Sequence, residues 1–138
     1  MIETMAESRR HTDLVNALYS YIVGTHADGD EGLVFVDDGS PGRRPPMIAG
    51  RTPDVFVPPR KDVGMILGEA ETGRSLETVR TMQQIRSFME ACGTTAGSVF
   101  VLAVPWDRVR LALSIIRAIQ REGLARNVTA IVPERLIV

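Results

Sequence analysis

Cysteine and lysine are almost missing from this chain: Cys92 and Lys61 are the sole examples. One cysteine excludes an intrachain disulfide and any cysteine-based zinc site, and Cys92 falls in an apolar helical stripe, where it reads as a core thiol. With every basic residue except Lys61 an arginine, contacts to phosphate would be made by planar guanidinium forks. Aromatics are only 5% of the chain, too few for an extended base-stacking platform. Trp106, after Pro105 at a strand-to-helix corner, is therefore assigned to packing. No run approaches the roughly 18 apolar residues of a membrane span. The first residues, with Glu3 and Glu7 among them, lack the basic and then apolar order of a secretory signal, so a cytoplasmic location and no membrane contact are expected. The formal net charge of −1 gives no overall basic field, and any nucleic-acid contact would rest on local patches.

What is present fits one compact domain over residues 1–138, 44% of it hydrophobic. Charge is segregated along it. Asp28, Asp30, Glu31, Asp37 and Asp38 are followed by Arg43, Arg44, Arg51, Arg60 and Lys61, with Asp54 the only acid among the latter. The Gly-, Pro- and Arg-rich stretch 39–52 reads as a long loop and, being basic, as a substrate clamp; solvated loops of opposite sign are the competing reading. His11, placed just before the first helix turn, and His26, in the loop after that helix, have no ligand partner at metal-binding spacing and read as surface residues.

Apolar residues at helical spacing (Leu14, Val15, Leu18, Tyr19, Ile22, Val23) predict a helix over 8–23, with Ser8 and Thr12 near its start. Short β-type runs follow at 33–36, 53–57 and 63–71, the second stopped by Pro58-Pro59. Val79, Met82, Ile85, Phe88, Met89 and Cys92 form the stripe of a second helix ending near Gly93. The continuous apolar run 98–104 predicts a strand covered on both faces, Pro105 opens a third helix to about residue 122, and 128–132 supplies a last strand. The order αβββαβαβ predicts an α/β fold with a central mixed sheet flanked by helices, its later crossovers favouring parallel pairing.

Three carboxylates stand out on this frame. Asp54 begins the second strand, and Glu69 and Glu71 emerge on one face of the third, with Ala70 on the other, because strand side chains alternate. Like charges so close are mutually destabilising unless a cation, a proton or an arginine sits among them. Hard oxygen ligands of this kind suit Mg²⁺. Gln84, at the margin of the second helix's apolar stripe, is better placed than Gln83 to join such a site.

With Pro53-Asp54, Glu69-Ala70-Glu71 and this order of elements, the chain resembles the PD-(D/E)XK nuclease superfamily, the restriction-endonuclease-like fold, over residues from about 7 to 132. Gly50-Arg51-Thr52-Pro53-Asp54 is similar to the glycine-led aspartate motif of RecB-like nucleases, and Gln84-Ile85-Arg86-Ser87-Phe88 to their Gln-x-x-x-Tyr motif, with Phe for Tyr. The resemblance implies a DNA-hydrolysing enzyme using Mg²⁺ or Mn²⁺, and a homodimer because one small domain engages only part of a duplex. Asp54 and Glu69 would be metal ligands, with the main-chain carbonyl of Ala70 a further one, and Glu7 would complete the set from the first helix, Glu3 and Asp13 being alternatives. Glu71 stands where the motif has lysine; it would bind a second metal or act as general base. Arg51, Arg74 and Arg86 are the expected phosphate contacts.

Two other functions stay open at this level. The departure at Glu71 allows a nuclease-fold protein that no longer cleaves and serves as a nucleic-acid-binding or assembly module. An unrelated nucleotide-binding α/β protein would need a glycine-rich phosphate loop, and the only segment of that kind, 37–42, leads with two aspartates that repel phosphate.

Overall fold

A computed structural model describes residues 2–136, with side chains from residue 8 onward apart from Leu124. Helix α1 (Ile2–His26) is followed by strands β1 (Phe35–Val36), β2 (Val55–Val57) and β3 (Ile66–Ala70), helix α2 (Val79–Gly93), strand β4 (Val99–Ala103), helix α3 (Val109–Gln120) and strand β5 (Thr129–Ile131). The sheet runs in the order β1-β2-β3-β4-β5. β1, β2 and β3 pair antiparallel, whereas β3, β4 and β5 pair parallel, as strands linked through helical crossovers do. The protein is thus an α/β fold built on a five-stranded mixed sheet flanked by helices.

Alternation along the strands sends side chains into two cores. Val55, Val57, Ile66, Ala70, Val101 and Ala103 meet Leu14, Val15, Leu18 and Ile22 of α1. On the other face, Phe56, Leu67, Phe100 and Leu102 pack against Ile85, Phe88, Met89 and Cys92 of α2 and Ile115, Ile116 and Ile119 of α3. Covered on both sides, β4 has no need of polar alternation, which is why its sequence is a continuous apolar run. Gly68 lets α1 lie directly on β3: a Cβ there would stand 2.8 Å from Ile22 Cδ1 and 3.1 Å from Leu18 Cδ2. α2 starts where the Thr78 hydroxyl accepts from the Thr81 amide at 3.1 Å, satisfying one of the orphan donors of a helix N-terminus.

Three details depart from the sequence reading, one being that α1 runs on to include His26, expected in the loop after it. α1 begins well before Ser8, so His11 sits inside the helix and not ahead of it; Thr12 Oγ1 donates back to the Ser8 carbonyl at 2.9 Å, an intrahelical contact and not a cap. A 3₁₀ turn over Trp106–Arg108 precedes α3 and leaves Trp106 82% exposed, which overturns its assignment to packing. Cys92 is buried in the core as expected, with its thiol pushed up to about 12 by burial. None of the helices described is long and apolar enough to cross a membrane.

Candidate active site

The antiparallel register of β2 and β3 pairs Val55 with Gly68, so Asp54 and Glu69 come next, opposite one another. They are cross-linked. The Asp54 amide donates to Glu69 Oε1 at 3.0 Å, and the Ala70 amide donates to Asp54 Oδ2 at 2.8 Å. From α2, Gln84 Nε2 donates to Glu69 Oε2 at 2.8 Å, and Arg51 Nη1 donates to Gln84 Oε1 at 3.1 Å. Gln84 is fixed as an amide that gives its NH₂ to the carboxylate and its carbonyl to the guanidinium. Glu71 continues past β3, its amide donating to the Ala103 carbonyl at 2.9 Å, and its Oε2 accepts from the Ser75 hydroxyl at 2.6 Å.

Burial makes this cluster electrostatically tense, since Glu69 is 3% and Glu71 9% exposed. Burial, followed by the charges of Asp54 and Glu71, pushes Glu69 well above the usual glutamate range, against the opposing pull of the Asp54 amide and the Arg51 charge. Glu71 is raised too, by burial above all and by Asp54, with the Ser75 hydrogen bond and the charge of His11 opposing. His11 Nε2 lies 3.6 Å from Asp54 Oδ2. That contact holds the imidazole above its ordinary pKa, assisted by the charges of Asp54 and Glu71 and opposed by partial burial. The arrangement attracts a proton or a cation, because each carboxylate that ionises raises the cost of the next.

Most of the residues anticipated from sequence meet here: Asp54, Glu69, Glu71, Gln84 and Arg51, while Ala70, anticipated through its main-chain carbonyl, joins through its amide. Others do not. Arg86 is turned about 200° around α2 from Gln84, at 100° per residue, and pairs with Glu122 at 2.9 Å. Arg74 lines a neighbouring cleft, as does Asp13. Glu7 and Glu3 have side chains outside the described residues. The basic stretch is tied to earlier segments of the chain: Arg43 donates to the carbonyls of Glu31 and Val34, and Arg60, past the loop, to that of His26 at 2.8 Å. Both guanidinium groups are thus engaged with backbone carbonyls.

His11 and Ser75 are the members that sequence reasoning missed. A signal for His11 existed, since it stands three, seven and eleven residues before Leu14, Leu18 and Ile22, on the same helical stripe. Ser75 carried none. Among the described residues no group of three or more His, Cys, Asp or Glu side chains is arranged to hold a metal ion, and both oxygens of Glu69 are engaged by protein donors. The donor chemistry still suits a hard cation, since the cluster offers carboxylate oxygens whose mutual repulsion such an ion would relieve. No protein-family model, curated protein or solved structure matches the chain.

Proposed function

We propose that the protein is a PD-(D/E)XK-type nuclease, with a restriction-endonuclease-like fold, that hydrolyses phosphodiester bonds of DNA with Mg²⁺ or Mn²⁺, acting in the cytoplasm as a homodimer. The observation that carries this reading is the convergence of Asp54, Glu69 and Glu71, three mostly buried carboxylates supplied by an antiparallel strand pair, with Gln84 reaching them from the next helix. The order of elements and the mixed sheet agree with it.

On this reading Asp54 and Glu69 would hold the cation, with Glu69 giving up a protein donor for it. The bound ion would lower the pKa of a water and stabilise charge on the leaving oxygen. The chain's own residues do the rest. Arg51 orients Gln84, Gln84 fixes Glu69, and Glu69 fixes the turn into β2 that carries Asp54. Glu71, held by Ser75, accepts the proton of the attacking water at its second oxygen. When protonated, His11 would supply positive charge beside Asp54, at a site that has glutamate in the position of the motif lysine.

The test is incubation of the purified protein with plasmid and with linear single-stranded DNA in Mg²⁺ or Mn²⁺, beside Asp54→Ala. Metal-dependent cleavage lost in the variant is the expected result, and cleavage that survives the substitution removes the assignment. A second reading, a nuclease-fold module that binds nucleic acid without cutting it, is favoured by the two protein donors already on Glu69; it predicts DNA binding with no cleavage in either metal.

A further inference from the structure

β3 and β4 are parallel, so the segments that leave their carboxyl ends emerge side by side, at the end of an open α/β sheet where ligands commonly lodge. The first begins at Glu71 and continues through Thr72-Gly73-Arg74; the second is Pro105-Trp106-Asp107-Arg108. With Arg10 of α1 they enclose a cleft of about 450 Å³. Arg10 immediately precedes His11, and Thr72 immediately follows Glu71, so the lining of the cleft adjoins the carboxylate cluster along the chain. Three arginines line it against two aspartates, Asp13 and Asp107. Arg108 is seated over Gly73, where an added Cβ would come 3.1 Å from its Nε. That close approach places the Arg108 side chain against the floor of the cleft. At the rim stands Trp106, 82% exposed.

We propose that this cleft is a nucleotide subsite for single-stranded nucleic acid: one base stacks on the indole of Trp106, and Arg108 and Arg10 hold an adjacent backbone phosphate. A lone aromatic beside a cationic groove is the minimal unit for sequence-tolerant recognition of a single strand, because every base has a π-face and every nucleotide a phosphate. Arg108 presents a planar fork to phosphate oxygens. The subsite rests on the nuclease reading for its purpose, which is to seat a nucleotide flanking the bond at Glu71, but not for its detection.

Trp106 is the only tryptophan in the chain, so intrinsic emission reports on this position alone. The full-length protein is titrated in EDTA with a short oligothymidylate and with an abasic oligomer of equal length. Saturable quenching by the first and not the second is expected, with Arg108→Ala raising the Kd roughly tenfold, and Trp106→Leu doing the same to binding of an end-labelled oligomer. Both side chains are exposed, and circular dichroism of the variants verifies that they fold. Absence of quenching, equal quenching by the abasic strand, or unchanged affinity in Arg108→Ala overturns the subsite. So does an emission shift that follows protein concentration without DNA, which would seat a second copy of the chain on Trp106. Stacking without plasmid cleavage leaves the subsite standing and removes only the nuclease reading; cleavage that depends on Asp54 without stacking does the reverse.

Discussion

At the scale of residues, the behaviour of the site is set by which oxygens the protein already satisfies. Asp54 Oδ2 accepts the Ala70 amide, so Asp54→Ala leaves a mostly buried N–H without its acceptor, and a loss of about 1–3 kcal/mol is expected in urea unfolding. Asp54→Asn keeps an oxygen for that amide and should stay close to wild type in stability while losing the charge. Glu69 and Glu71 have folded pKa values raised above their unfolded ones. The folded state therefore holds more protons than the unfolded state in the interval between those values. Stability is fully present below the ordinary glutamate range and is lost as pH rises through the raised values. His11, also raised, adds a loss of the same sign at higher pH. Melting temperature in metal-free buffer should thus fall as pH climbs from the glutamate range, and Glu71→Gln should flatten that slope; a slope unchanged by the substitution would contradict the electrostatic account of the cluster.

At the scale of elements, the contact between α1 and β3 constrains the site, because α1 carries His11 to Asp54. Gly68→Ala places a methyl against Ile22 Cδ1 at 2.8 Å and Val55 Cβ at 3.2 Å, and an overpacking cost of about 1–3 kcal/mol is expected. Ile22→Val removes that Cδ1, so the double variant should be more stable than the sum of the two single losses predicts, as a denaturant double-mutant cycle will show. The same elements explain what was legible in the sequence. Strand and helix order could be read because period and Gly/Pro punctuation agree locally: Val55 and Val57 alternate with Phe56, and Ile85, Phe88, Met89 and Cys92 repeat at helical spacing. Strand ends were overread by one to three residues, since Pro53 and Asp54 or Val63 and Gly64 continue the local pattern without joining the ladder. The start of α1 was misplaced because Ser8 and Thr12 resemble capping residues, and that hid His11. Exposure of Trp106 depends on how β4 turns into α3, which no local pattern encodes.

At the scale of the whole molecule, a near-neutral chain concentrates its chemistry at one end of the sheet. Antiparallel β2 delivers Asp54 where β3 delivers Glu69 and Glu71, α2 adds Gln84, and α1 adds His11 and Arg10. The acids gather around the strand ends and the arginines of the cleft flank them, so a phosphate backbone would be drawn by local charge and not by the net charge of −1. Everything proposed for catalysis depends on the carboxylates taking a divalent cation. The most direct measurement is calorimetric titration of Mn²⁺ and Mg²⁺ into the wild-type protein and Asp54→Asn, with thermal unfolding at saturating metal. The account predicts saturable binding by the wild type, stabilisation of about 2.7 kcal/mol at a metal concentration one hundred times Kd, and loss of both in Asp54→Asn. Equal binding by the two proteins, or none by the folded wild type, would contradict it.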